Sequence, residues 1–504
     1  MRTFLSPQPA WLPLVVVSLA GACLDASGVA PRSATPTPAP FGGPDLPTAA
    51  ENVQAGTPGW LTASLAGQTD LAVWAAPYAI TVGDTLSVFI HASSGPVSVA
   101  LFRMGWYGGI GGRLLWSQDS VAAGAQPACT PPFPGPVECP WRATLRIPVR
   151  LTWTSGIYLL KVTNLAGQSG LYPVVVRSRN SRAFVIVVPQ FTWQAYNAFG
   201  GSSLYTAGPD GHLGHFVSFE RPYALRGGAG YVYGLGYSND ASVLMWLERE
   251  GYDVSYVSDQ DVPELGTGFP LPQKGLIFIG HDEYWTMEQF KATTLLRDRG
   301  YHLAFLAGNT AYWRVRLSPG LVTNQPAAVV TCYKGDPDPG AATALDGTRS
   351  FRSLGMAENA LLGEMYVEHA HGGAYPLVVS DSGVGFEASQ FLASAGLRAL
   401  DTIPNILDDR TPGWPRPSSL EGDQLVANGN TPPTIQVLMR AVFSSGLPSP
   451  SGVFHTTFYI APSGSAVFDA GFNEWGRFLG GFYGPSDVRI ERVTESVLDW
   501  MITH

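Results

Sequence analysis

Short apolar runs alternate with helical patterns in the second half of the chain. The run Leu276–Ile279 lies between two glycines, which is typical of a strand buried in a parallel sheet. The segment Thr286–Arg299 follows with a helical pattern, and Thr286 is the expected N-cap. A second apolar run, 302–307, completes a strand–helix–strand unit. Because such crossovers are right-handed, both strand ends are expected at the same edge of the sheet.

The first half of the chain has a different pattern. Four β-rich segments with alternating polar and apolar residues are separated by turns rich in Gly, Pro and Ser. They cover residues 78–90, 96–104, 141–149 and 156–163. This pattern predicts a β-sandwich. We therefore expect a β-sandwich domain at 51–180 and an α/β domain at 181–504.

Polar side chains follow the predicted strands at the point where each strand ends. His281, Asp282 and Glu283 come directly after one strand, and Asn309 follows the next. Open α/β sheets bind their ligands at the carboxyl ends of strands. Buried polar groups there cost free energy unless they are paired or bound to something. The alternative is a solvated loop whose carboxylates are favoured by the start of the next helix.

Four segments carry a resemblance to a known family. They are ALFRMGWYGG at 100–109, TWQAYNAFGGSSLY at 192–205, GHDEYW at 280–285 and AFLAGNTAYWRVR at 304–316. In this order they resemble the large (β) subunit of N,N-dimethylformamidase, and the resemblance extends from about Glu51 to the C-terminus. It implies an Ig-like β-sandwich followed by a flavodoxin-like α/β domain similar to class I glutamine amidotransferases.

The resemblance also implies a mononuclear ferric iron held by two tyrosines and one glutamate, which activates water to hydrolyse a formamide. Matched by motif, the glutamate is Glu283 and one tyrosine is Tyr196, while Tyr158 is the candidate for the other by approximate spacing. His281 and Asn309 then face the substrate or the ligands, as a proton shuttle and an oxyanion donor. Phenolate and carboxylate oxygens suit a hard cation. Ordinary packing in the sandwich is the alternative for Tyr158.

The sequence favours metal-assisted hydrolysis over covalent catalysis. No Gly-x-Ser-x-Gly or Gly-x-Cys-x-Gly turn occurs at a predicted strand end. We therefore expect a hydrolase that cleaves a C–N amide bond of a small molecule with metal-activated water. The competing hypothesis is a non-catalytic surface lipoprotein that binds a carbohydrate or another ligand.

The N-terminus and the cysteines indicate export. Residues 1–22 have an apolar run of twelve residues, Trp11–Ala22, as in a secretory signal peptide. Cys23 follows small residues, so it is a candidate lipid anchor, although ordinary signal cleavage after Ala22 is the alternative. Residues 23–50 are rich in Pro, Ala and Thr and predict a linker. Cys129 and Cys139 flank a Pro-rich loop and are expected to form a disulfide, which leaves Cys332 as a buried thiol.

Composition limits the partners. The chain has 504 residues, 45% hydrophobic and 14% charged, with a net charge of −9. These values indicate packed domains and argue against nucleic acid as a partner. The expected partners are a small-molecule amide and, through Cys23, a membrane. The sequence leaves the oligomeric state open, including a homo-oligomer.

Overall fold

The computed structural model describes residues 45–60, 64–224, 239–370, 375–381, 383–404, 420–443, 452–482 and 486–504, without the side chains of residues 239, 368–370, 420 and 443. All described residues belong to one compact unit. The predicted signal peptide and Cys23 lie outside the described residues. Folded structure begins before residue 51, the predicted start of the β-sandwich domain, because Asp45 is buried and accepts a hydrogen bond from Ser178 Oγ at 2.6 Å.

The described helices are short except for the last. They are α1 (Thr48–Asn52), α2 (Gln190–Tyr196), α3 (Asn239–Arg249), α4 (Met287–Asp298), α5 (Phe386–Ser394) and α6 (Val488–Thr503). The hydroxyl of Thr286 accepts a hydrogen bond from the backbone N–H of Gln289, so the predicted N-cap of α4 is confirmed. None of these helices has the length and apolar character that crossing a bilayer requires.

The first part of the chain forms two sheets. Their strands are β1 (Leu71–Ala76), β2 (Ala79–Thr81), β3 (Thr85–Ala92), β4 (Val97–Met104), β5 (Gly112–Val121), β6 (Leu145–Pro148), β7 (Gly156–Thr163) and β8 (Ser169–Arg177). One sheet has the order β1-β3-β6 and the other has the order β2-β8-β7-β4-β5. The buried residues of both sheets belong to one hydrophobic cluster, and every residue of β1 and all but the last residue of β8 are buried.

A nine-stranded mixed sheet carries the candidate site. Its strands, in spatial order, are β11 (Val254–Ser258), β9 (Phe184–Val188), β12 (Gly275–His281), β14 (His302–Gly308), β23 (Ala466–Asp469), β22 (Gly452–Ile460), β21 (Gln436–Phe443), β18 (Leu377–Val379) and β19 (Thr402–Ile403). The first five are parallel and the pairs after them are antiparallel. The chain is therefore a mixed α/β protein with several sheets. Strands β12 and β14 are parallel neighbours, as their spacing around α4 predicts.

Smaller sheets complete the described structure. The strands β10 (Phe216–Ser218), β16 (Val329–Thr331), β15 (Trp313–Ser318) and β13 (Tyr284–Thr286) form one sheet, and β17 (Met365–Ala370) pairs with β20 (Leu420–Gln424). The sequence alone did not order the strands between residues 317 and 460. These strands belong to three different sheets, and pairing between distant segments is decided by tertiary packing.

The cysteines behave as their positions predict. Cys129 and Cys139 form a disulfide, and Cys332 is a buried free thiol directly after β16. Burial raises the pKa of Cys332 to about 12, which removes it as a nucleophile. The disulfide is typical of proteins outside the reducing cytoplasm.

Candidate active site

The site begins where β12 and β14 end side by side. His281 is paired in register with Gly308, and its Nδ1 lies 3.1 Å from the carbonyl oxygen of Gly308. The chain then turns, and the backbone N–H of Glu283 donates to the hydroxyl of Thr192 at 3.0 Å. Thr192 lies in α2, which follows β9. Three neighbouring parallel strands therefore position the site at their carboxyl ends, as the sequence predicts.

Two phenols converge on the buried carboxylate of Glu283. The hydroxyl of Tyr196 donates to Oε2 at 2.9 Å, and the hydroxyl of Tyr205 lies 3.0 Å from Oε1 and 2.9 Å from Oε2. The two rings stack with centroids 4.4 Å apart. Tyr284 donates to the hydroxyl of Tyr205 at 2.8 Å and fixes its orientation. Glu283 is 4% exposed and Tyr205 is 39% exposed, so the carboxylate is buried while one of its phenol partners reaches the surface.

His281 lies between two carboxylates. Its Nε2 is 3.3 Å from Glu283 Oε2 and 3.2 Å from Glu421 Oε2. The same nitrogen is 3.2 Å from the hydroxyl of Tyr196. Burial lowers the pKa of His281, but Glu421 and Glu283 outweigh burial and raise it to about 10. The imidazole is therefore held in its protonated form, with Nδ1 donating to Gly308.

The charges of the site are consistent with this arrangement. Burial raises the pKa of Glu283, but His281 and Lys334 outweigh that effect and the net pKa is below its ordinary value. Burial and Glu283 raise the pKa of Tyr196 and Tyr205 well above the ordinary value. Lys334 Nζ lies 3.6 Å from the centre of the Tyr205 ring and donates to the carbonyl of Leu204 at 2.9 Å. A charged carboxylate is thus surrounded by neutral phenols, an imidazolium and an ammonium group.

The structure does not bring Tyr158 to Glu283. Tyr158 lies in β7, and its buried hydroxyl donates to the carbonyl of Thr154 at 2.6 Å. Tyr158 is therefore packed in the five-stranded sheet with its hydroxyl already paired, and the expectation that it is the second phenol beside Glu283 is corrected. The side chain found there is Tyr205, at the end of the motif that contains Tyr196.

Asn309 reaches the site indirectly. Its backbone has a φ of 49°, and its side-chain Nδ2 donates to Glu421 Oε2 at 2.6 Å. The amide therefore holds Glu421 against His281 and does not contact Glu283. Glu421 lies in β20, far along the chain, and no local pattern singles it out. Lys334 also lies far along the chain from His281 and Glu283, and no local sequence pattern identifies it as a residue of the site.

A cavity of about 460 Å³ adjoins the site at Tyr196. It is lined by Gln68, Trp193, Tyr196, Asn197, Ala198, Gly200, Gly201, Tyr223 and Ala224. Tyr196 therefore contacts Glu283 and also forms part of the cavity wall. Gln68 comes from the segment before β1, so the first part of the chain contributes to this wall.

The donor set suits a hard cation. Within the described ranges, no three His, Cys, Asp or Glu side chains are arranged to hold a metal ion. The oxygens that converge here are a different set, two phenols that each lie within 3.0 Å of the Glu283 carboxylate. Such oxygens favour Fe³⁺ and other hard ions over soft ones. Tyr196, Tyr205 and Glu283 are therefore the residues that fit the iron implied by the resemblance.

Comparison with known proteins identifies the family. The family model described as "N,N-dimethylformamidase beta subunit-like, C-terminal" matches residues 98–487, which is most of the chain. The chain belongs to this family, as the four motifs predicted. No curated protein matches the chain. Membership indicates a hydrolase-type protein.

Proposed function

We propose that the chain is a metal-dependent hydrolase that cleaves the C–N bond of a small, formamide-like amide with activated water. The observation that carries this proposal is the convergence of Tyr196 and Tyr205 on Glu283, with His281 beside them. Burying a carboxylate costs free energy, so stability alone does not explain why Glu283 lies buried at a strand end beside these phenols. The family supports the reaction type.

The metal in this proposal is a mononuclear ferric ion held by Tyr196, Tyr205 and Glu283. When bound, such an ion polarises a carbonyl group and lowers the pKa of water. The two phenols are neutral in this structure because burial raises their pKa. Each would lose its proton to the solvent when it binds a cation, so metal affinity is expected to rise with pH.

His281 has the position of a general acid. Its Nδ1 is fixed on Gly308, so Nε2 is the nitrogen that can exchange a proton with a reacting molecule. Breaking an amide C–N bond requires a proton on the departing nitrogen, and the imidazolium can supply it. Glu421 holds that ring from the other side, and Asn309 fixes Glu421. Asn309 is thus proposed as a positioning residue.

The proposal extends to location and architecture. The disulfide between Cys129 and Cys139 supports an exported protein, and we propose that residues 1–22 are a signal peptide and that Cys23 is lipidated. The Ig-like and amidotransferase-like assignments of the two parts are proposed from the family resemblance. Mass spectrometry of the mature N-terminus tests the anchor, and an unmodified Cys23 would refute it.

The decisive experiment measures metal in the purified full chain and in two variants. We expect nearly one iron per chain in the wild type, with a phenolate-to-iron absorption band, and loss of both in Glu283→Ala. The matched control is Glu288→Ala, an exposed glutamate in the first turn of α4, which should keep the metal and the colour.

The wild type and Glu288→Ala, which should hold the metal, should hydrolyse N-methylformamide, and Glu283→Ala should not. Absence of metal from the wild type after reconstitution with iron would refute the proposal. It would favour the alternative, a non-catalytic surface lipoprotein that binds a carbohydrate or another ligand.

A further inference from the structure

The cavity beside Tyr196 is larger than a formamide needs. A formamide with five heavy atoms fills about 150 Å³ if each atom takes about 30 Å³, the share of one water molecule in the liquid. The cavity measures about 460 Å³, which leaves room for about ten further heavy atoms. Ligand sites for molecules of that size have similar volumes. The volume therefore indicates a substrate with a substantial group next to its amide.

No described residue that lines the cavity is charged, since none is Asp, Glu, Lys, Arg or His. Trp193 and Tyr223 are 7% and 4% exposed, so each adds only a small apolar area to the wall. A charged group placed there would lose its hydration without gaining a partner.

Several polar atoms of the wall already have partners within the protein. The indole N–H of Trp193 donates to Asp240 at 2.9 Å. The amide of Asn197 donates to Gln194 and to the carbonyl of Pro222, both at 3.0 Å. The side-chain oxygen Oδ1 of Asn197 accepts from the backbone N–H groups of Phe199 and Ala224 at 3.1 and 2.9 Å. These hydrogen bonds hold the side chains of Trp193 and Asn197 in place within the wall.

We propose that this cavity binds a neutral apolar group carried by the amide, so that the substrate is an amide with a neutral apolar substituent. The inference rests on the proposed function, because Tyr196 lines the cavity and also donates to Glu283. Burial of apolar surface favours such a group, and the described wall offers no counter-charge to an acidic or cationic one.

Calorimetry with the full chain tests the binding preference without requiring turnover. The probes are N-methylacetamide, N-benzylacetamide and 4-(acetamidomethyl)benzoate, which adds a carboxylate to the ring. We expect N-benzylacetamide to bind roughly ten to a hundred times more tightly than N-methylacetamide, the range expected for burying one phenyl group. The carboxylate should remove that gain.

Variants assign the preference to the cavity. Ala198→Trp and Ala224→Leu each add volume at the wall, and both should reduce the benzyl preference to about threefold or less. The matched control is Ala393→Trp, at an exposed position of α5 that does not line the cavity, which should keep the preference. Unfolding temperatures identify a variant that fails to fold, in which case the other wall variant decides.

The outcomes separate this inference from the proposed function. Equal affinity for the benzyl and methyl probes overturns the inference, as does a preference that survives in both folded wall variants. Hydrolysis of N-methylformamide together with either result would leave the proposed function intact. Tight benzyl binding without hydrolysis of N-benzylformamide would support the subsite and refute the hydrolase.

Discussion

A buried ion pair between the two parts of the chain gives a quantitative test of the structure. Arg103 in β4 and Glu248 in α3 are fully buried, with Nη2 and Oε1 2.7 Å apart and Nη1 and Oε2 3.1 Å apart. Tyr256 and Asn52 also donate to Glu248, at 2.8 and 2.7 Å. Burial lowers the pKa of Arg103, but Glu248 outweighs burial and raises it well above its usual value. The guanidinium is therefore charged, and its principal counter-charge is Glu248.

Replacing Glu248 by alanine leaves that charge buried. Removing one partner of a buried pair costs about 3–5 kcal/mol, and the donors that lose their acceptor add about 1–3 kcal/mol. We therefore expect Glu248→Ala to lower the free energy of unfolding by about 4–8 kcal/mol. The double variant Arg103→Met/Glu248→Leu should lose less than Glu248→Ala alone, because it removes both charges.

Urea unfolding followed by tryptophan fluorescence measures these losses. The control is Glu250→Ala, which breaks a partly exposed pair with Arg249 and should cost about 0–1 kcal/mol. A double variant that loses as much stability as Glu248→Ala, or more, would refute the reasoning, because removing the second charge would then bring no relief.

Three further predictions concern separate features. Burial and Lys274 lower the pKa of His302 to about 4 from an ordinary 6.5, and its Nδ1 accepts from a backbone N–H, so protonation favours the unfolded chain. The stabilising contribution of neutral His302 is fully present above pH 6.5 and is lost between pH 6.5 and 4, which lowers the free energy of unfolding by roughly 2 kcal/mol after allowing for solvent screening. In His302→Asn the urea midpoint should change less over that pH range than in the wild type. A decline as large as that of the wild type would contradict this prediction. Tyr205→Phe should lose iron and its colour while Tyr158→Phe keeps both, and metal analysis showing the reverse would restore the original assignment. Cys129→Ser should lower the free energy of unfolding by about 3 kcal/mol, and a urea midpoint unchanged from the oxidised wild type would contradict a stabilising disulfide.

Much of the site was accessible from the sequence because its residues lie in local patterns. Glu283 and His281 follow a short apolar run, and such a run has few alternatives to a buried strand. The capping hydroxyl of Thr286 then fixes where the next helix starts. These features depend on neighbouring residues, so no knowledge of distant contacts was needed.

The local sequence pattern does not identify the second phenol beside Glu283. Tyr158 and Tyr205 each lie in a segment that could bring a phenol to the site, and nothing in either segment indicates which one reaches Glu283. The orientation of β7 directs Tyr158 towards Thr154, and the turn after α2 brings Tyr205 back across Tyr196. Only the packed chain decides between them.

The sequence by itself determined the family, the strand–helix–strand unit, the disulfide and the position of Glu283 and His281. Tertiary structure alone decided that Tyr205, Lys334 and Glu421 join them, and that Asn309 acts through Glu421. The physical reason is that hydrophobic periodicity and capping act between residues close in sequence, whereas a buried charge must find its partners wherever the fold places them.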